Sequence, residues 1–125
     1  MSKFLKLDNN GDMIPDYVED YSTSELQIGT WIDGKPLYRK VKDIGFLPNT
    51  STKTVSLDLS VDDVPVKLEG YFSGNNLLAC LPFASTNSQY AVDFFYENGY
   101  VSVTTYMNRS SFYGRSIIYY IKTTD

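Results

Sequence analysis

This chain of 125 residues contains no histidine, so it lacks the side chain that most readily exchanges a proton near neutral pH. A Ser-His-Asp or Cys-His arrangement is excluded, because its general base is missing. The lone cysteine, Cys80, lies in the apolar run Leu77-Leu78-Ala79-Cys80-Leu81 and reads as a small buried hydrophobe. It has no internal disulfide partner. Paired carboxylates can cleave glycosides without histidine, and Asp58, Glu69, Asp93 and Glu97 are the candidates. The first three fall on the polar phase of strand-like segments and Glu97 falls in a turn, so they read as solvated charges. No catalytic residue is assigned.

Metal chemistry has one candidate. Asp8, Asn10, Asp12, Asp16 and Glu19 stand at positions 1, 3, 5, 9 and 12 of a continuous segment, the ligand spacing of an EF-hand calcium loop. Position 6 is Met13, where such a loop needs glycine for its sharp turn. The competing reading is a plain Asx-rich turn. No cofactor is expected, and calcium is the alternative this spacing leaves open.

Recognition chemistry is richer. Tyr106-Met107-Asn108-Arg109-Ser110-Ser111-Phe112-Tyr113-Gly114-Arg115 interleaves rings with amide, hydroxyl and guanidinium donors. Ser85-Thr86-Asn87-Ser88-Gln89-Tyr90 does the same on a smaller scale. Rigid aromatics beside adaptable polar groups suit varied protein surfaces, and they suit sugars, whose C–H faces stack on rings. The candidate ligand contacts are Tyr106, Asn108, Arg109, Phe112, Tyr113 and Arg115, with Tyr90 from the second loop. The opposing reading places these rings in the core or on a sheet face.

Composition narrows the classes. A single domain of this length can bury a core without staples. Aromatics make up 15 %, with eleven Tyr against one Trp, and Tyr fits half-buried strands as well as contact surfaces. The formal net charge is −4. Lys35, Arg39, Lys40 and Lys42 cluster, but Asp33 and Asp43 dilute them, so the cluster reads as a solvated strand face. No nucleic acid partner is expected, since a phosphate binder needs a net positive stripe. No apolar stretch reaches the roughly 18–20 residues of a membrane span, and no signal-peptide h-region opens the chain. Membrane insertion is not expected, and synthesis in a reducing cytoplasm is.

The elements that must position these groups have a period of two. Val55, Leu57, Leu59 and Val61 alternate with Ser56, Asp58 and Ser60, predicting one half-buried strand over 55–61. Val66, Leu68 and Gly70 alternate with Lys67 and Glu69, and Val101 and Val103 with Ser102 and Thr104. Ala91 to Tyr96 is apolar but for Asp93, and Ile117 to Ile121 is apolar throughout, long enough for a central strand. Asp33-Gly34 and Asn98-Gly99 predict hairpins. Further turn signals stand at 47–52, 62–65, 73–76, 84–88 and 108–114. Roughly eight short strands, with a turn about every 8–12 residues, predict an all-β antiparallel β-sandwich, jelly-roll-like. Residues 1–22 differ in character and read as an N-terminal arm before a domain at 23–125.

The segment Tyr21-Ser22-Thr23-Ser24-Glu25, leading into Ile28-Gly29-Thr30-Trp31-Ile32-Asp33-Gly34-Lys35-Pro36-Leu37-Tyr38, is distinctive. With the ending Tyr120-Ile121-Lys122-Thr123-Thr124-Asp125, it resembles small β domains of structural appendage proteins in tailed bacteriophages and prophages of Gram-positive bacteria. Leu47-Pro48-Asn49-Thr50-Ser51-Thr52-Lys53 is similar to a turn of that family. The resemblance implies a virion structural protein, a fibre, tail-tip or head-decoration module made in the host cytoplasm and carried on the virion. It implies other virion proteins and a bacterial surface glycan or protein receptor as partners, and a homo-oligomer, with a trimer favoured. It also implies that Trp31, Tyr38 and Lys40 are framework. Alternatives of other classes are a stand-alone carbohydrate-binding module using the 106–115 loop, and a glycan-degrading enzyme.

Overall fold

The computed structural model describes residues 5–7, 13–15 and 21–125, and among these the fold is all-β and antiparallel. Strands β1 (Leu5–Leu7) and β2 (Met13–Pro15) form a pair of their own. The remaining strands in chain order are β3 (Leu26–Thr30), β4 (Pro36–Phe46), β5 (Thr52–Ser56), β6 (Asp63–Gly74), β7 (Leu77–Cys80), β8 (Val92–Glu97), β9 (Tyr100–Thr105) and β10 (Tyr113–Lys122). They build a five-stranded sheet, ordered β3-β4-β10-β6-β7, and a three-stranded sheet, ordered β5-β9-β8. The calcium-loop candidates Asp8, Asn10, Asp12, Asp16 and Glu19 lie outside the described residues.

The two sheets face each other. Ile44 and Phe72 from the larger sheet meet Val92 and Val103 from the smaller one. Beside them, Ile118 and Tyr120 meet Val101, together with Leu57 from the loop after β5. These side chains exclude water almost completely, and each large one contributes on the order of 1.5–3 kcal/mol through burial. Phe72 is the hub of the first cluster, with the rings of Phe83 and Phe112 set edge-on to it at 5.8 and 5.6 Å.

The predicted hairpins form, with different turns. Asn98 and Gly99 both take positive φ, +50° and +88°, the requirement of a two-residue turn that matches strand twist. Asn75 and Asn76 do the same between β6 and β7, at +47° and +62°. In the β3–β4 hairpin only Gly34 is left-handed, at +87°. There the Gly34 N–H donates to the Trp31 carbonyl and the Trp31 N–H to the Lys35 carbonyl, so the turn spans more residues than a two-residue reversal.

Other readings need correction. The strand predicted over 55–61 stops at Ser56. Asp58 turns left-handed at φ +55°, with the Lys42 ammonium 2.9 Å from its carboxylate and Ser56 Oγ bonded to it. Leu57 remains fully buried, whereas Val61, in the phase expected to face inward, is almost wholly exposed. Cys80 is exposed, because the run 77–81 forms a short edge strand from which only Ala79 and Leu81 reach the core. The strands are not uniformly short either, since β4, β6 and β10 run for 11, 12 and 10 residues. The basic cluster on β4 is not one solvated face. Arg39 is buried, its guanidinium 3.9 Å from the Tyr21 ring centroid. Lys40, by contrast, donates to the Asp58 carbonyl at 2.9 Å.

Candidate functional site

The distinctive opening and ending meet in space. β4 and β10 are neighbours, with Tyr38 opposite Tyr120. Those two rings stack with centroids 5.8 Å apart. The Tyr120 hydroxyl donates to Glu25 Oε1 at 2.5 Å, and the Lys122 ammonium lies 2.9 Å from the same oxygen. Lys122 also reaches Asp63 Oδ1 at 3.3 Å. The Tyr38 hydroxyl donates to Asp125 Oδ2 at 2.8 Å, and Lys35 Nζ donates to the Lys122 carbonyl at 3.3 Å. These residues form one clasp that closes the larger sheet, which is a structural occupation for Tyr38.

The clasp should open in base. Burial first, then the bond to Glu25, pushes the Tyr120 phenol upward. Tyr119, next to the clasp on β10, is pushed up to about 12, again mainly by burial, with Glu69 adding to the rise. The Glu25 carboxylate raises Lys122. Each group binds its proton more tightly folded than unfolded. Their stabilisation is therefore complete below about pH 10 and is lost as pH climbs through the raised values. Absorbance at 295 nm should show a late phenolate phase that coincides with loss of near-ultraviolet circular dichroism. A single phenolate phase near pH 10 with the fold intact would contradict this.

The two predicted recognition loops converge at the opposite end of the sandwich. The β9–β10 loop and the segment after β7 are tied together by Arg109, whose Nη2 donates to the Tyr90 carbonyl at 2.6 Å. The turn at 47–51 joins them. The Arg109 N–H donates to the Pro48 carbonyl at 3.2 Å, and the Leu47 N–H to the Phe112 carbonyl at 2.9 Å.

The seven candidate contacts separate into three groups. Arg109 and Phe112 point inward, 6 % and 8 % exposed. The guanidinium carbon of Arg109 lies 5.3 to 5.9 Å from the ring centroids of Phe112, Phe72 and Phe83. Both residues are framework of the loop, contrary to their reading as contact groups. Tyr90, Tyr106 and Asn108 are exposed at the loop surface. The Tyr106 hydroxyl donates to the Asp93 carboxylate, which raises the phenol. Asn108 Oδ1 accepts from the Ser110 N–H and hydroxyl at 3.0 and 2.7 Å, which fixes the loop tip. Tyr113 and Arg115 belong to β10 and stand on the outer face of the larger sheet, away from the tip.

That outer face carries a groove of about 520 Å³. Its floor is Val41, Ile117 and Glu69, side by side on β4, β10 and β6. The next row is Asp43, Arg115 and Tyr71. Arg115 Nε donates to Asp43 Oδ1 at 2.8 Å and Nη1 to the Tyr71 hydroxyl at 3.2 Å. Residues 21–25 close one side, held to β4 by the Val41 N–H donating to the Ser22 carbonyl at 2.8 Å, so that Tyr21 and Thr23 form the wall.

The carboxylates weighed for glycoside cleavage are dispersed. Glu69 lies in this groove, Asp58 in the loop after β5, and Asp93 and Glu97 on the outer phase of β8 in the other sheet. No cluster of three metal-binding side chains occurs among the described residues. Asp43, Tyr71 and Tyr21 were missed from sequence. The signal for Asp43 and Tyr71 was the outward phase of β4 and β6, but only the strand order brings them beside Arg115, and Tyr21 precedes β3, where no strand phase marks it. No protein-family model, curated protein or solved structure matches the chain.

Proposed function

We propose that this chain is an assembly and attachment module of a bacteriophage particle, using the loop end of its sandwich as a contact surface. The observation that carries this reading is the convergence of the two recognition loops, locked by Arg109, at the end opposite the Tyr38–Tyr120–Asp125 clasp. One end joins the resembling opening and ending, and the other, which includes the similar turn at 47–53, presents Tyr90, Tyr106 and Asn108 on a fixed frame. Rings and amides on a rigid support lose little conformational freedom on contact. The resemblance of the opening and ending supplies the particle context, with other virion proteins as neighbours and a bacterial surface glycan or protein as receptor. Copies assembled as a homo-oligomer, a trimer by the same resemblance, multiply weak contacts into avidity.

Immunogold electron microscopy of purified particles, with an antibody against the isolated domain, tests this reading together with analytical ultracentrifugation. Labelled particles and a sedimenting oligomer are expected. Unlabelled particles, or a stable monomer at micromolar concentration, overturn it.

A further inference from the structure

We infer that the groove on the outer face of the five-stranded sheet is a binding site for a neutral, hydroxyl-rich saccharide, distinct from the loop end. Its size falls within the roughly 300–1,000 Å³ usual for small-ligand sites, room enough for a mono- or disaccharide. Its chemistry is mixed in the way a pyranose demands. Ile117 and the rings of Tyr21 and Tyr71 offer apolar surface for C–H faces. The Asp43 and Glu69 carboxylates accept hydrogen bonds from hydroxyl donors. Arg115 has five N–H donors, and its bonds to Asp43 and Tyr71 hold the fork in place.

Preorganisation makes this a site and not merely a concavity. Asp43 and Tyr71 grip Arg115 from the strands on either side, so the polar groups are fixed before a ligand arrives. Other ligand classes fit less well. Among the lining residues Arg115 is already paired with Asp43, and Glu69 has the Lys67 ammonium 3.9 Å away, so the lining offers no unmatched cation to phosphate, sulfate or sialic acid. An extended peptide needs a free strand edge, but β4, β10 and β6 are each paired on both sides. A saccharide needs no strand edge, only directional polar groups beside a ring.

The test is titration of the whole protein with lactose, maltose, cellobiose, chitobiose and the anionic sialyllactose, followed by two-dimensional amide NMR. A neutral disaccharide should shift the amides around Asp43, Glu69, Tyr71 and Arg115, while sialyllactose leaves them unmoved. Arg115→Ala should weaken that binding about tenfold or more, and Tyr71→Ala comparably. Tyr100→Ala, on the other sheet, should leave it unchanged. Arg115 is nearly half exposed, so the fold should survive its removal. A second variant, Glu69→Gln, tests the acceptor role with little change of shape and should weaken binding severalfold.

Shifts confined to residues 85–90 and 106–110 would overturn the groove site. So would binding that neither Arg115→Ala nor Glu69→Gln weakens, a preference for sialyllactose, or no response to any of these sugars at millimolar concentration. None of these outcomes bears on whether the chain is carried on a particle, so the two readings fail separately.

Discussion

Arg109→Ala should lower stability by about 3 kcal/mol and the melting temperature by roughly 10 °C. The guanidinium lies between three phenyl rings, and truncation leaves a void against Phe72, Phe83 and Phe112. It also removes the donor to the Tyr90 carbonyl, uncoupling the loop after β7 from the β9–β10 loop. Removal of a buried partner costs more than the bond contributes, because the group left behind stays dry. Arg109 Nε is buried without an acceptor, so the native arrangement already carries a desolvation cost. Arg109→Met fills the same space without burying a charge and should recover more than half of the loss. Urea unfolding of both variants checks this. Equal stability of parent and alanine variant would show that the ring cage contributes nothing.

Gly74→Ala should cost at least about 2 kcal/mol, although it adds one methyl group. A Cβ at this position would lie 2.8 Å from the Ser111 carbonyl oxygen and 2.9 Å from Phe112 Cδ1. The first neighbour is backbone and cannot rotate away, so β6 or the β9–β10 loop must shift. Gly29 provides the control. Nothing lies within 4 Å of a Cβ built there, and its φ is not left-handed, so Gly29→Ala should change stability by less than about 0.5 kcal/mol. Thermal unfolding of the pair separates close approach from a general intolerance of substitution at strand glycines. Equal melting temperatures would sink the argument.

These positions also show what could be read from residues alone. The alternation at Val101 and Val103, the run Ile117–Ile121 and the Asn98-Gly99 turn fixed the all-β class, because each signal is local. The same logic failed at Val61. Alternation continued past Ser56, but Lys42 and Ser56 hold Asp58 in a left-handed bend, and Lys42 is 16 residues away in sequence. Arg109 was legible as chemistry but not as orientation. An arginine among rings reads equally well as a contact or as a cage, and only the packing of Phe72 and Phe83 against it decides. The groove was hidden for a different reason. Asp43, Glu69 and Arg115 come from three strands whose adjacency depends on β10 inserting between β4 and β6. Half of a site built across strands is a matter of register, and register is not written at any one residue.

β10 begins at the loop that Arg109 anchors and ends at Lys122 in the clasp. Ten residues of extended chain span roughly 33 Å, most of the length of the larger sheet. The strand is laddered on both flanks, to β4 and to β6. A pull between loop and clasp would thus load both ladders lengthwise. Their rungs would resist in shear, all together, where a strand drawn away from one margin would give way bond by bond.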